Sequence, residues 1–222
     1  MDHQFLSGTK LFGGLNENEI NSALSCLKAR EESFKKGDII FHSGDCIEEI
    51  GLITAGSVNI TVSFYNGSST VFEHLTAGNI FGDSYASVPG KELMCDFVAG
   101  ADCVVLFLNI NKLICVCDKV CPFHRQLIKN LLCVSSQKSL NLASRLIHTA
   151  SKSTRERLIS YFSEQSLKSG SVYFTIPFSR QQLADYLGVE RSALSNTLSK
   201  MQKDGLIQYH KNEFKLLKGS PK

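Results

Sequence analysis

The chain has 222 residues, 43% of them apolar and 20% charged, which is enough to bury a hydrophobic core in more than one domain. Residues 1–149 carry 12 Lys and Arg against 15 Asp and Glu, whereas residues 150–222 carry 12 against 6, so the C-terminal third is basic and favours a polyanionic partner. The N-terminus lacks a basic start followed by an apolar stretch, and no apolar run approaches the roughly 20 residues that span a bilayer. We therefore expect a soluble, cytoplasmic protein with no membrane partner.

The patterning of the first half of the chain changes from helical to β-type. Residues 11–30 show apolar residues at helical spacing after an N-cap candidate at Asn16 or Asn18. From residue 32 to about residue 109, short β-branched and aromatic segments such as SVNITVSFY and CVVLFLNI alternate with glycines at turn positions. Turn signals at this regular spacing predict a β-sandwich or a β-barrel.

A long helix is predicted over residues 122–149, with Pro122 in its first turn. Its heptad-like stripe has two serines at its centre, and its members are Ile128, Leu132, Ser135, Ser139, Leu142 and Leu146. Because one small barrel cannot cover a stripe of this length, we expect the four apolar members to form a dimer seam with a second copy of the chain. The two serines either allow close helix approach or face a ligand at the dimer axis.

Residues 150–222 follow the order of a winged helix-turn-helix. A helix over TRERLISYFSEQS and a hairpin over SVYFTIPFS precede two helices separated at Gly188, and a second hairpin turns at Lys211-Asn212. Apolar residues at helical spacing predict the buried faces of these two helices: Leu183, Ala184, Leu187, Leu194, Leu198 and Met201. The opposite face of the second helix is polar and holds Arg191, Ser192, Ser195, Asn196 and Ser199.

The eight cysteines are scattered over predicted strands and helices, which is typical of buried thiols in a reducing compartment. The segment CVCDKVC does not have the paired C-x2-C spacing that zinc and iron–sulfur sites usually use. Inert burial, a redox-responsive thiol and a metal or cluster site all stay open for four of them: Cys115, Cys117, Cys121 and Cys133.

Three segments in this order, KKGDIIFHSGDCIEEIGLITAGSVNI, TAGNIFGD and SRQQLADYLGVERSALSNTLSKMQKDGLI, resemble the cyclic-AMP receptor/FNR family of bacterial transcription regulators. The resemblance covers nearly the whole chain and implies an α+β fold. Its three parts are a β-roll sensor domain similar to the cyclic-nucleotide-binding jelly roll (residues 1–121), a long dimerisation helix (122–149) and a winged helix-turn-helix DNA-binding domain (150–222).

The resemblance assigns DNA contacts to the second helix of the helix-turn-helix, which lies in the major groove in such proteins. Family members contact bases from the positions of Arg191, Ser192 and Asn196, and Ser195 lies on the same face. Many members have Glu and Arg where this chain has Ser192 and Asn196, so we expect a different half-site sequence. Arg191 is the principal candidate, because arginine bonds guanine bidentately. Phosphate contacts are expected from the start of the first helix, the end of the second and the wing: Ser179, Arg180, Gln181, Lys200, His210 and Lys211.

Cyclic-nucleotide binders of this family hold ribose and phosphate with a Phe-Gly-Glu motif followed by an Arg-Ser or Arg-Thr pair. Here Phe81-Gly82-Asp83 keeps the turn, but the segment ELMCDF (residues 92–97) contains no arginine. A buried phosphate would lack its counter-charge, so we expect no response to cyclic AMP. The family's oxygen sensors hold their cluster on cysteines ahead of the roll, and residues 1–25 contain none.

We expect instead a small apolar or weakly polar effector, or no effector, and neither a cofactor nor a metal. The pocket candidates lie in the roll and on the long helix: Phe81, Gly82, Asp83, Ser84, Tyr85, Met94, Cys95, Ser135 and Ser139. A cyclic-nucleotide-responsive or a thiol-redox-responsive regulator is the alternative.

The predicted function is that of a homodimeric regulator bound to a palindromic operator in double-stranded DNA, with RNA polymerase as a further partner if it is an activator. An enzyme is not expected. The remote alternative is a cupin-like enzyme, which needs closely spaced histidines and a carboxylate. The predicted roll has only His42 and His74, which are far apart in sequence.

Overall fold

The computed structural model describes residues 2–114 and 121–217 and divides into two compact units, residues 1–137 and 138–222. Because the units divide within the long helix, the three-part division expected from the sequence stays a prediction. No helix in the described parts of the chain is long and apolar enough to cross a membrane.

Two short helices precede the β-roll: α1 is His3–Gly8 and α2 is Glu17–Cys26. A capping box starts α2, in which the Asn16 side chain accepts from the backbone N–H of Glu19 and the Glu19 carboxylate accepts from the N–H of Asn16. The N-cap is therefore Asn16, and α1 is a helix that was not predicted from the sequence.

The β-roll consists of two four-stranded antiparallel sheets, with strand orders β1-β8-β3-β6 and β2-β7-β4-β5. The strands are β1 Arg30–Phe34, β2 Ile39–Phe41, β3 Glu49–Ala55, β4 Ser57–Ser63, β5 Ser69–Thr76, β6 Ile80–Phe81, β7 Asp96–Ala99 and β8 Cys103–Asn109. Two short helices belong to the same unit, α3 Asp83–Ala86 and α4 Ile110–Ile114. The α+β fold with an N-terminal roll is confirmed.

A cluster of phenylalanines fills the space between the two sheets. The rings of Phe41 and Phe97 lie 6.0 Å and 5.2 Å from that of Phe81, and Phe107 lies 5.6 Å from Phe41. The Phe81 ring covers Gly51 so closely that a Cβ there would lie 2.3 Å from it. This packing holds the end of β6, and with it the start of α3, in place.

The long helix, α5, is Pro122–Thr149. Ile128 is partly buried against the core of the first unit. The other three members of the predicted dimer seam are exposed: Leu132 by 65%, Leu142 by 54% and Leu146 by 70%.

As far as residue 217, the C-terminal unit contains three further helices and a three-stranded antiparallel sheet of order β10-β11-β9. These elements are α6 Thr154–Ser169, β9 Tyr173–Thr175, α7 Arg180–Leu187, α8 Arg191–Lys203, β10 Ile207–His210 and β11 Glu213–Leu216. All six apolar residues predicted for the faces of α7 and α8 are buried in one cluster with α6 and the sheet.

The prediction of a hairpin over SVYFTIPFS was wrong, because β9 is the only strand in that segment. β9 pairs with β11, and the N–H of Ile176 donates to the Asn212 carbonyl at 2.9 Å. Pro177 follows and has no N–H to extend a ladder. The second hairpin does turn at Lys211-Asn212, where Lys211 has a φ of +52°.

Candidate nucleic-acid interface and sensor site

Helix α7 is capped by hydrogen bonds at both ends, from a serine side chain at its start and from backbone N–H groups at the turn into α8. Ser179 caps the helix start, and its hydroxyl accepts from the N–H of Gln182 at 3.3 Å. Gly188 ends the helix in the left-handed region with a φ of +63°, and the N–H of Val189 bonds back to the Ala184 carbonyl at 3.0 Å. Because this turn has little freedom, it sets the direction of α8.

The outward face of α8 presents the polar side chains that the sequence predicts. Arg191, Ser192 and Asn196 are exposed, and Ser195 is half-buried. Arg191 is the first residue of the helix, so its side chain projects from the end that meets bases in helix-turn-helix proteins.

Arg191 differs from the other three arginines of residues 150–222, which all have partners within the protein. Arg155 forms an ion pair with Asp204 at 2.6 Å, and Arg157 and Arg180 donate to backbone carbonyls. The Arg191 guanidinium has no hydrogen-bond or ion-pair partner among the described residues. It is therefore available to an external acceptor.

Arg180, expected at a phosphate, instead packs on the wing formed by β10 and β11. Its guanidinium lies over the rings of Tyr209 and Phe214, with centroid distances of 5.0 Å and 5.2 Å, and donates to the Lys211 carbonyl at 2.6 Å. Burial lowers the pKa of this guanidinium. Arg180 thus fastens the wing to the start of α7.

The remaining phosphate candidates are exposed. Gln181 donates to Asp185 at 2.8 Å within α7. Lys200 lies in the last turn of α8, and His210 and Lys211 lie at the tip of the wing. These groups flank the polar face of α8 within one unit.

Two arginines that the sequence analysis missed bond the carboxyl end of α7. Arg145 in α5 donates to the carbonyls of Asp185 and Tyr186, and Arg157 in α6 donates to those of Leu187 and Gly188. The last carbonyls of any helix have no intrahelical donor, so a predicted helix end implies that some other group bonds them. Nothing in the spacing indicates which arginines supply them.

In the sensor unit, Phe81-Gly82-Asp83 forms the junction between β6 and α3. Gly82 has a φ of +76°, and a Cβ there would lie 2.9 Å from Ile47. The Asp83 carboxylate is only 3% exposed, and the Ser135 hydroxyl donates to it at 3.0 Å. The structure therefore brings together two of the predicted pocket residues.

The other pocket candidates have different environments. Burial raises the pKa of both the Tyr85 hydroxyl and the Cys95 thiol, so Cys95 is a neutral thiol at neutral pH. Ser84 is exposed and Met94 is 69% exposed. Ser139 belongs to the second unit.

The segment where cyclic-nucleotide binders carry their arginine is acidic here. The backbone of Glu92 forms an isolated antiparallel β-bridge with that of Cys46. The Asp96 carboxylate accepts from the N–H of Ser43 at 2.8 Å and from the Ser63 hydroxyl at 3.4 Å. No arginine is present to neutralise a phosphate at this position.

The structure describes two of the four cysteines left open by the sequence. Cys133 is exposed on α5 and Cys121 is partly buried just before it, whereas Cys115 and Cys117 lie outside the described residues. Within the described parts of the chain, no three His, Cys, Asp or Glu side chains are grouped so that they would hold a metal ion.

Two family models match the chain. Residues 31–119 match a cyclic nucleotide-binding domain, and residues 156–218 match a Crp-like helix-turn-helix domain. Together with the relatives below, which are named as regulators, these matches decide the family. The chain belongs to the cyclic-AMP receptor/FNR family of transcription regulators.

Relatives of this family member are similar over most of their length. Electron transport regulator A of Shewanella oneidensis is 24% identical over 87% of this chain and 77% of its own. Transcriptional activator protein FnrA of Stutzerimonas stutzeri is 23% identical over 96% of this chain and 86% of its own. The structure of CprK complexed with OCPA has a TM-score of 0.64 at 14% identity, covers 91% of this chain and 92% of its own, and shows the same fold.

Proposed function

We propose that this cyclic-AMP receptor/FNR family member is a homodimeric, sequence-specific DNA-binding regulator in which α8 contacts base edges and the β-roll senses a signal other than cyclic AMP. The observation that carries the proposal is the exposed Arg191 at the start of α8, the one arginine of residues 150–222 without a partner among the described residues.

The geometry of α8 suits the major groove. Arg191 donates bidentately to the O6 and N7 of a guanine, and Ser192 and Asn196 contact bases on the same face one turn apart. Lys200 and the wing tip contact phosphates on either side. None of the base-contacting groups has to break an internal ion pair to reach the DNA.

The exposed apolar face of α5 supports pairing with a second copy. Leu132, Leu142 and Leu146 are each more than half exposed, and burying them in a seam removes apolar surface from water. A dimer presents two copies of α8 to a palindromic operator, with half-sites about one helical turn, or roughly 34 Å, apart. An effector that changes this spacing changes operator affinity, and an activator of this kind also contacts RNA polymerase.

The sensor site does not suit a cyclic nucleotide. Asp83 is buried and already bonded to Ser135, and Glu92 and Asp96 occupy the stretch where a cation is needed. A phosphate brought into this site would meet buried and half-buried negative charge. A small neutral effector, or none, fits better, and neither a cofactor nor an enzymatic reaction is part of the proposal.

The test is selection of bound DNA from a random pool, followed by fluorescence anisotropy on the selected operator with and without cyclic AMP, candidate metabolites and oxidant. Arg191→Ala should cost about 1–3 kcal/mol and relax discrimination at one base position of each half-site. Lys200→Ala is the matched control and should weaken all sequences alike.

The proposal fails if the wild-type protein is monomeric in sedimentation and shows no preference among duplexes at low salt. A uniform loss on all sequences in Arg191→Ala would assign Arg191 to phosphate. Tighter operator binding with cyclic AMP would refute the sensor assignment.

A further inference from the structure

We infer that Arg145 and Arg157 are positioning residues for operator recognition: they hold the carboxyl end of α7 and thereby fix the direction in which each protomer presents α8. The inference rests on the proposed function, because it concerns how two copies of α8 reach two half-sites.

The arginine pair, Arg145 and Arg157, donates to four consecutive carbonyls. Arg145 reaches the Tyr186 carbonyl through Nε and the Asp185 carbonyl through Nη2, both at 3.1 Å. Arg157 reaches the carbonyls of residues 187 and 188 through Nη1, at 2.8 Å and 3.2 Å. The whole carboxyl end of α7 is therefore bonded to two side chains from other helices.

These hydrogen bonds stabilise the carboxyl end of α7 for two physical reasons. The last carbonyls of a helix lack intrahelical donors and carry the negative end of the helix dipole, so a cation is favourable there. A planar guanidinium also offers donors in a fixed arrangement, which a lysine ammonium does not reproduce. Arg157 uses its Nε as well, which donates to the Ser151 carbonyl at 2.7 Å and so ties the segment between α5 and α6 to the same point.

The carboxyl end of α7 has a second connection to α5 through the side chain of Tyr186. The Arg145 guanidinium lies 5.6 Å from the centroid of the Tyr186 ring, and the Tyr186 hydroxyl lies 2.9 Å from Nδ1 of His148, which is also in α5. Side chains at the end of α5 therefore contact both the backbone of α7 and the side chain of Tyr186.

The same segment of α5 has a free apolar face. Leu142 and Leu146 are 54% and 70% exposed, whereas His148 is 2% exposed on the side that meets α6 and α7. In the proposed dimer the leucines contact the partner, so the path from the seam to the recognition helix runs through α5, the arginine pair, α7 and the turn at Gly188. A rigid path of this kind fixes the separation of the two copies of α8.

The experiment measures the affinity of the full-length protein for operators whose half-sites are separated by the selected distance or by one base pair more or less. One base pair rotates a half-site by about 34° around the helix axis, given 10–10.5 base pairs per turn. If both copies of α8 are held rigidly, the wild type should lose about tenfold or more in affinity for each altered spacing, a loss comparable to that of a single mismatched base pair.

Arg145→Ala should bind the selected operator about tenfold more weakly, because two charge-assisted hydrogen bonds are lost, and should show a spacing penalty of about threefold or less. Arg157→Ala should behave in the same way. Arg155→Ala is the matched control: it removes an arginine of α6 whose partner is the Asp204 side chain, and it should keep the wild-type spacing penalty.

A structural role alone would lower the thermal unfolding temperature and weaken all spacings equally, and that result would overturn the inference. Arg145→Gln keeps amide donors without the charge, and it carries the same test if Arg145→Ala does not fold. A wild-type protein that binds DNA without any spacing preference would refute the dimeric mode of the proposed function and this inference with it. A wild-type preference that survives unchanged in both variants would refute the inference alone.

Discussion

The buried imidazole of His148 predicts that the C-terminal unit loses stability as the pH falls below about 6.5, the ordinary pKa of histidine. The ring is 2% exposed and lies between two partners: its Nε2 is 2.7 Å from the Glu164 carboxylate and its Nδ1 is 2.9 Å from the Tyr186 hydroxyl. These partners fit a neutral ring that donates from Nε2 and accepts at Nδ1. The ring of Tyr161 stands perpendicular to it at 5.4 Å.

Several charges act on this histidine. Burial lowers the pKa of His148; the Glu164 charge opposes this and the Lys168 charge adds to it, so the pKa lies below 6.5 in the folded protein. Burial also raises the pKa of Glu164, but the hydrogen bond and charge of Lys168, with His148 and Ser144, more than compensate and bring it below 4.5. The carboxylate therefore stays charged between about pH 5 and pH 8 while the histidine titrates.

The sign of the pH effect follows from these shifts. The unfolded chain binds a proton at His148 near pH 6.5, whereas the folded protein does not until a lower pH. The contribution of His148 to the free energy of unfolding is therefore fully present above pH 6.5. Below pH 6.5 it decreases, by at most about 1.4 kcal/mol per pH unit. The fall ends where the folded protein itself becomes protonated.

Hydrogen exchange by mass spectrometry on peptides from α6 and α7, at a series of urea concentrations and pH values, measures this unit separately. The comparison is with His148→Gln, which removes the titrating group and retains an amide. The variant should be about 1–3 kcal/mol less stable at pH 8, because a half-buried carboxylate and a half-buried hydroxyl lose a partner, and nearly independent of pH between about 5 and 7. An identical slope in the wild type and the variant would show that the pH effect arises elsewhere.

Three further predictions concern stability, each measured by urea denaturation. Gly188→Ala should lower the free energy of unfolding by about 1–2 kcal/mol, because the left-handed backbone at this position disfavours a Cβ. The added Cβ would lie 3.6 Å from Arg157, an ordinary contact, so no loss would show that the turn adjusts. Leu198→Ala should cost about 2–5 kcal/mol, since the side chain is fully buried, and Ser199→Ala on the exposed face is its control. Ser135→Ala should cost about 1.5–3 kcal/mol by removing a donor to the buried Asp83 carboxylate, and a change below 0.5 kcal/mol, roughly that of an ordinary surface substitution, would contradict that bond's importance.

Local patterns predicted most of the fold because the signals are contained within each element. The apolar spacing around Gly188 gave both buried helix faces, and the glycine itself gave the turn. The prediction failed at SVYFTIPFS, where alternating residues indicate a strand but not its partner. That partner, β11, is some 40 residues further on, and pairing at such a distance is set by the tertiary fold.

The parts of the site that the sequence analysis missed depend on long-range contacts. Arg145 bonds carbonyls 40 and 41 residues away, and Arg157 bonds carbonyls 30 and 31 residues away. A basic residue in a helix has the same local signature whether it meets solvent, phosphate or a carbonyl. Asp83 and Ser135 are 52 residues apart, and only the family resemblance placed them in one group before the structure brought them together.

The arginines show why a charge count predicts a partner but not the contacts. The basic C-terminal third favours a polyanion, yet Arg155, Arg157 and Arg180 are already bonded within the protein. Moving such a guanidinium to a phosphate would leave a carbonyl or a carboxylate without its donor, which offsets much of the gain. The internal arginines therefore stiffen the surface that the remaining cations use, and DNA affinity should follow the exposed lysines and Arg191 rather than the total charge. On a surface stiffened in this way, binding orders the Arg191 side chain but little of the backbone that carries it, and this favours base discrimination at Arg191 over a general attraction to DNA.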